Sequence, residues 1–191
     1  MDFIDVYRTK RQYVFTKIEE AGFAYKLSLS FLFACLTGIG AMMRLYAPFT
    51  PVPITMQVFF VLLSGALLGK YYGGLSQAMY AFLGFAGIPW FTHPSAIFGI
   101  TGGYIIGFVF ASFAVGLARE RAKTKIAFAI SMMLGVTIIY AFGAFQFSLI
   151  MKTGIYETLM MAILPFIAID FVKAIGVSAA SFLIMPESQR R

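Results

Sequence analysis

The chain has 191 residues, of which 60 % are hydrophobic and only 12 % charged, and its mean hydropathy is +0.85. Soluble domains carry about 25 % charged residues, so the composition excludes an ordinary soluble domain and describes an integral membrane protein. The net charge of +7 is not read as a nucleic-acid signal, because the basic residues lie between apolar runs, where membrane topology and anionic headgroups account for them.

A chain of this length holds about six spans of ~20 residues each. The expected fold is an all-α membrane protein of six transmembrane helices, preceded by a short amphipathic helix. Three regions follow: an amphipathic N-terminal segment (1–23), a six-helix domain (24–185) and a basic tail (186–191).

Within residues 3–20, Ile4, Tyr7, Val14 or Phe15, and Ile18 recur near helical spacing among Arg8, Lys10, Arg11, Lys17, Glu19 and Glu20. The pattern predicts a helix lying on the membrane surface, with a solvated tail as the alternative. It lacks the short apolar core and cleavage site of a signal peptide.

The first span is expected over 24–46, and Cys35 inside it reads as packing. Ala34 and Gly38, with Thr37 and Ala41, form a small-residue stripe that lets a neighbouring helix approach closely. That neighbour is either part of this chain or a partner protein. Arg44 and Pro48-Phe49-Thr50-Pro51-Val52-Pro53 follow, and prolines at this density cannot continue a helix. The second span is expected over 54–68, with Thr55 and Gln57 in its first turn, then a turn at 69–74. A third span, 75–87, is polar at its start, with Ser76, Gln77 and Tyr80. The loop Ile88-Pro89-Trp90-Phe91-Thr92-His93-Pro94-Ser95 carries no lysine or arginine. Spans over 101–118 (with Gly103, Gly107 and Ala111 on one face), 126–150 and 165–185 complete the set.

Six spans put twelve basic residues on one side, including the Arg119–Lys125 cluster, and only Arg44 and Lys152 on the other. Basic loops stay inside, so both termini are expected in the cytoplasm. The sixth helix then enters from outside. Lys173 lies about eight residues from Pro165, ~12 Å along the axis at 1.5 Å per residue, and Asp170 about one turn nearer the exterior.

Those two residues are the costly ones, because charges at membrane depth face the bundle interior and have partners. Three residues apart, they share a helix face. They either neutralise each other or grip a ligand with polar donors and a negative group. Gln57 and Tyr104 lie near the outer ends of their helices, and the Trp90 loop is external. Each of Gln57, Gln77 and Tyr104 is either a site residue or a bond between helices. Trp90 is a stacking residue or an interfacial anchor.

No catalytic constellation stands out, so the chain is not expected to be an enzyme. His93 is the only histidine, which argues against a His-based metal site. Gly65-Ala66-Leu67-Leu68-Gly69-Lys70 mimics a phosphate loop but has three residues between its glycines and no Ser/Thr after the lysine. Uphill transport would need energy from another protein.

Several motifs resemble one family. Pro51-Val52-Pro53-Ile54-Thr55-Met56-Gln57-Val58-Phe59-Phe60-Val61-Leu62-Leu63, Gly87-Ile88-Pro89, Thr101-Gly102-Gly103-Tyr104-Ile105-Ile106-Gly107-Phe108 and Asp170-Phe171-Val172-Lys173-Ala174 are similar, in the same order, to motifs of the BioY family. These proteins are biotin-specific substrate-binding (S) components of energy-coupling factor (ECF) transporters. The resemblance spans 27–183. It implies high-affinity biotin binding in an outward-facing pocket and uptake across the cytoplasmic membrane, with Asp170 and Lys173 contacting the ligand. It also implies a transmembrane coupling protein and two ATPases as partners, met through Ala34 and Gly38, and no cofactor in the chain itself. Many relatives have a Gly-rich loop, some with an arginine, where this chain has 90–98 and no arginine.

The chemistry agrees. The ureido ring of biotin offers two N–H donors, which suit Asp170, and its valerate is an anion, which suits Lys173. The alternatives are an S component for another vitamin, or a structural or assembly protein in which the pair is a helix lock.

Overall fold

The computed structural model of the chain describes residues 20–91, 93–122 and 124–184, together with 9, 12, 13 and 16–18. The described residues before 21 are helical, but most of the amphipathic segment, and the basic tail, lie outside the described residues. The elements are α1 (Phe23–Met42), a hairpin of β1 (Arg44–Ala47) and β2 (Thr50–Thr55), α2 (Gln57–Phe85), a 3-10 turn (Pro94–Phe98), α3 (Gly102–Arg121), α4 (Lys125–Met151), the short α5 (Ile155–Ala162) and α6 (Leu164–Ile184). Five of these helices, with α2 counted as one 29-residue element, are long and apolar enough to cross a membrane.

Helix α2 is not one rod. Gln57 Nε2 lies 2.6 Å from Tyr80 Oη, 23 residues away, a separation of ~35 Å in a continuous helix. Gln77 Nε2 likewise reaches Ser64 Oγ at 3.0 Å. The chain reverses at Gly69, whose φ of 78° and ψ of −178° fall in a region open essentially to glycine alone. The arms 57–68 and 70–85 then run antiparallel. They touch glycine to glycine, since a Cβ at Gly73 would sit 2.8 Å from Gly65 Cα. The broad turn expected at 69–74 is thus a single residue.

Two further boundaries differ from the sequence reading. The first helix ends at Met42, and 44–55 forms an antiparallel hairpin, Arg44 opposite Thr55 and Leu45 opposite Ile54. The fold is therefore helical with one two-stranded β-hairpin, not purely α. Pro51 and Pro53 are tolerated because a two-stranded ribbon leaves each strand an unpaired edge. The second helix begins at Gln57 rather than at 54, where Thr55 Oγ1 accepts from Gln57 N at 3.4 Å.

Small residues set the packing. Gly65 lies against the Ser112 carbonyl of α3, Gly116 against the Gly69–Lys70 backbone, and Gly103 and Gly107 against Phe142 and Ile139 of α4. On α1, Ser30, Ala34, Thr37, Gly38 and Ala41 are buried while Phe31, Leu32 and Ile39 are exposed. The expected partner-facing stripe at Ala34 and Gly38 therefore faces this chain's own interior. A Cβ on Gly38 would meet the Trp90 indole. Large apolar residues stay exposed on the outer faces of the helices, such as Phe31, Phe110, Ile130 and Val172, as expected of helices solvated by lipid.

At one end of the bundle, Lys70 pairs with Glu120 at 2.7 Å and Arg119 donates to Leu67 O at 2.8 Å. Lys26 lies over the Tyr72 ring at that same end. The β-hairpin and the 88–101 loop lie at the other.

Candidate functional site

A cavity of about 430 Å³ opens between α1, the β-hairpin, α2, the 90–101 loop, α3, α4 and α6. That volume suits a small-molecule site. Its walls are largely apolar and aromatic, including Val52, Tyr80, Phe91, Phe108, Ile139 and Phe166.

Asp170 and Lys173 line it, both buried. Helical i,i+3 spacing sets them side by side, with Lys173 Nζ 2.7 Å from Asp170 Oδ1. The ammonium also donates to Thr55 O at 2.6 Å, and Asp170 Oδ2 accepts from Tyr140 Oη at 2.8 Å. This arrangement meets the rule that buried charges are paired and hydrogen-bonded. An ammonium has three donors and a carboxylate about four acceptor sites, so each has capacity left for a ligand.

Gln57, Tyr104 and Trp90 also line the cavity. Gln57 is held by Thr55 Oγ1, which donates to its Oε1 at 2.9 Å, and its Nε2 donates to Tyr80. Tyr80 in turn stacks on Trp90, with ring centroids 5.6 Å apart and planes 20° from parallel. Tyr104 Oη donates to Ala162 O at 2.6 Å, joining α3 to α5. It packs against Gly143, where a Cβ would strike its ring.

Gln77 is elsewhere. It is fully buried between the arms of α2, donating to Ser64 and Ser76, and is absent from the cavity wall. Ser64 Oγ lies 2.8 Å from Ser112 Oγ, so this polar cluster bonds helices together. The position nearest the cavity on that arm is Tyr80.

The sequence reading missed Tyr140, Thr55 O and Arg44. Tyr140 looked like one aromatic among many, although a phenol buried in a membrane helix needs a hydrogen-bond partner. From the sequence, Arg44 is only an external basic residue. It lines the cavity, its Nε donates to Ala41 O at 2.6 Å, and its guanidinium donates to Trp90 O. The 90–98 loop carries no arginine of its own, yet it touches one. Gln146 Nε2 pins the same loop to α4 through Ile97 O at 3.0 Å and Gly99 O at 2.8 Å. Among the described residues no cluster of three or more His, Cys, Asp or Glu side chains could hold a metal.

Apolar membrane-length helices around a cavity with a paired charge in its wall define a membrane protein that holds a small polar molecule. The family model described as the BioY family matches residues 11–190, so the chain belongs to the BioY family. It is 36 % identical over 148 residues to the biotin transporter BioY of Thermotoga maritima, covering 75 % of this chain and 86 % of the relative. It is 41 % identical over 155 residues to a probable biotin transporter BioY of Pyrococcus horikoshii, covering 79 % and 90 %. Its fold is similar to the crystal structure of the S-component for biotin from an ECF-type ABC transporter. That match has a TM-score of 0.78 at 24 % identity and covers 88 % of this chain and 96 % of the other.

Proposed function

We infer that this chain binds biotin and serves as the substrate-binding component of an ECF transporter that takes biotin up across the cytoplasmic membrane. The observation that carries the reading is the Asp170–Lys173–Tyr140 group in the wall of a ligand-sized cavity, in a member of the BioY family. Spare acceptor sites on Asp170 suit the ureido N–H groups, and the apolar and aromatic walls suit the fused rings. Charge-assisted hydrogen bonds in such surroundings are about twice as strong as neutral ones.

Six spans with both termini in the cytoplasm fit the two arms of α2 together with α1, α3, α4 and α6. Lys26, Lys70, Arg119 and Arg121 gather at the end of the bundle opposite the β-hairpin and the Trp90 loop. The positive-inside rule then directs the cavity end outward. The chain offers no nucleotide-binding loop, so a transmembrane coupling protein and two ATPases supply the energy. With Ala34 and Gly38 covered by the chain's own α2 and Trp90 loop, docking of that partner uses a different surface.

A helix lock alone would not require a cavity beside the pair. Purified protein incubated with labelled biotin in the absence of ATP tests the reading. Saturable binding that unlabelled biotin displaces and other vitamins do not is expected. Displacement by a different vitamin at lower concentration would reassign the ligand, and no shift in melting temperature with any vitamin would favour the structural role.

A further inference from the structure

Among the described residues two Lys/Arg side chains line the cavity, and only one of them has an ion-pair partner. Lys173 is paired with Asp170, the one carboxylate among the described lining residues. Arg44 lines the same space and makes no ion pair among the described residues. Its two hydrogen-bond acceptors, Ala41 O and Trp90 O, are backbone carbonyls. They fix the guanidinium in position without cancelling its charge, and two of its five N–H donors are used in doing so. His93 also lines the cavity, with its Nδ1 2.8 Å from Ser95 Oγ.

Among the described lining residues, Arg44 thus carries a positive charge that no carboxylate compensates. A guanidinium matches a carboxylate in both charge and planar fork geometry. An anionic group at Lys173 would instead compete with Asp170 at close range and meet like charge. We propose that Arg44, rather than Lys173, takes the carboxylate of the ligand, while Asp170, Lys173 and Tyr140 take its neutral polar end. The assignment rests on the biotin reading above. It ties the anion's counter-charge to the loop that carries Trp90, because the same guanidinium holds that loop's carbonyl.

The test titrates full-length wild type, Arg44→Gln and Lys173→Met with biotin and with biotin amide, whose side chain ends in a neutral carboxamide. Arg44→Gln is expected to weaken biotin about tenfold or more and the amide less than about twofold beyond any common loss, the scale of one charge-assisted hydrogen bond. Lys173→Met is expected to weaken both ligands by the same factor. A loosened Trp90 loop lowers both affinities together, so the ratio of acid to amide affinity isolates the charge. Arg44→Lys, which keeps the charge, is expected to retain part of that ratio. A wild-type ratio in Arg44→Gln, or a ratio lost only in Lys173→Met, overturns the assignment. Wild type that binds neither compound overturns the biotin reading instead, a distinguishable result.

Discussion

Tyr140 donates a 2.8 Å hydrogen bond to Asp170 Oδ2 and so ties α4 to the carboxylate carried by α6. The other oxygen of Asp170 takes Lys173, which reaches on to Thr55 O of β2. Three elements distant in sequence therefore meet at one charged pair. Tyr140→Phe keeps the ring and removes the link. Ligand affinity is expected to fall about tenfold or more, the scale of one hydrogen bond to a charged group, with the helical content unchanged. Calorimetry and circular dichroism on the same preparation check both halves. Undiminished affinity would show that Asp170 is oriented without Tyr140.

The buried pair itself gives a prediction about stability. Removing one member of a buried ion pair costs about 3–5 kcal/mol because a charge is left unpaired, whereas replacing both with apolar groups is often neutral. Asp170→Leu and Lys173→Met are each expected to melt below wild type, and the double variant to recover most of that loss. Binding is not expected to recover. A double variant that regains affinity along with stability would remove the pair from the site.

Gln77 separates packing from recognition. Its side chain bonds Ser64 and Ser76 inside the α2 hairpin and does not line the cavity. Gln77→Ala is expected to lower stability by about 2–4 kcal/mol through the cavity it leaves, while ligand affinity stays within about twofold. A large affinity loss in a variant that melts normally would return Gln77 to the site.

Gly69 carries the reversal of α2 at a positive φ of 78°. Gly69→Ala is expected to destabilise the fold by about 1–3 kcal/mol of backbone strain. The nearest atom to an added Cβ is Arg119 Nη1 at 3.6 Å, so crowding does not account for the loss. A thermal melt equal to wild type would contradict the backbone geometry at this turn.

How much of this was legible in the sequence depended on the kind of signal. Apolar length found the helical segments, including both arms of α2, because lipid leaves a helix no other partner for its backbone. Cost found Asp170 and Lys173, since an intramembrane charge stands out against its neighbours. The hairpin at 44–55 was not legible: strands of four and six residues have too little alternation to register, and the prolines marked only where helices stop. Arg44 lay in that blind region, and its role depends on a loop 46 residues away. Ala34 and Gly38 announced a close contact but not with what, and the structure puts Trp90 against Gly38. Gln77 and Gln57 look alike in sequence. One turns into the α2 hairpin and the other into the cavity, a difference set by helix rotation.

The central claim is that the charged pair in the cavity wall recognises biotin. Calorimetric titration of biotin into the isolated chain without ATP, for wild type, Asp170→Ala and Lys173→Ala, tests it most directly. The account predicts saturable one-to-one binding by wild type, weakened at least about tenfold in each variant that remains folded. Full affinity in both variants, or no binding by the wild type, would contradict it.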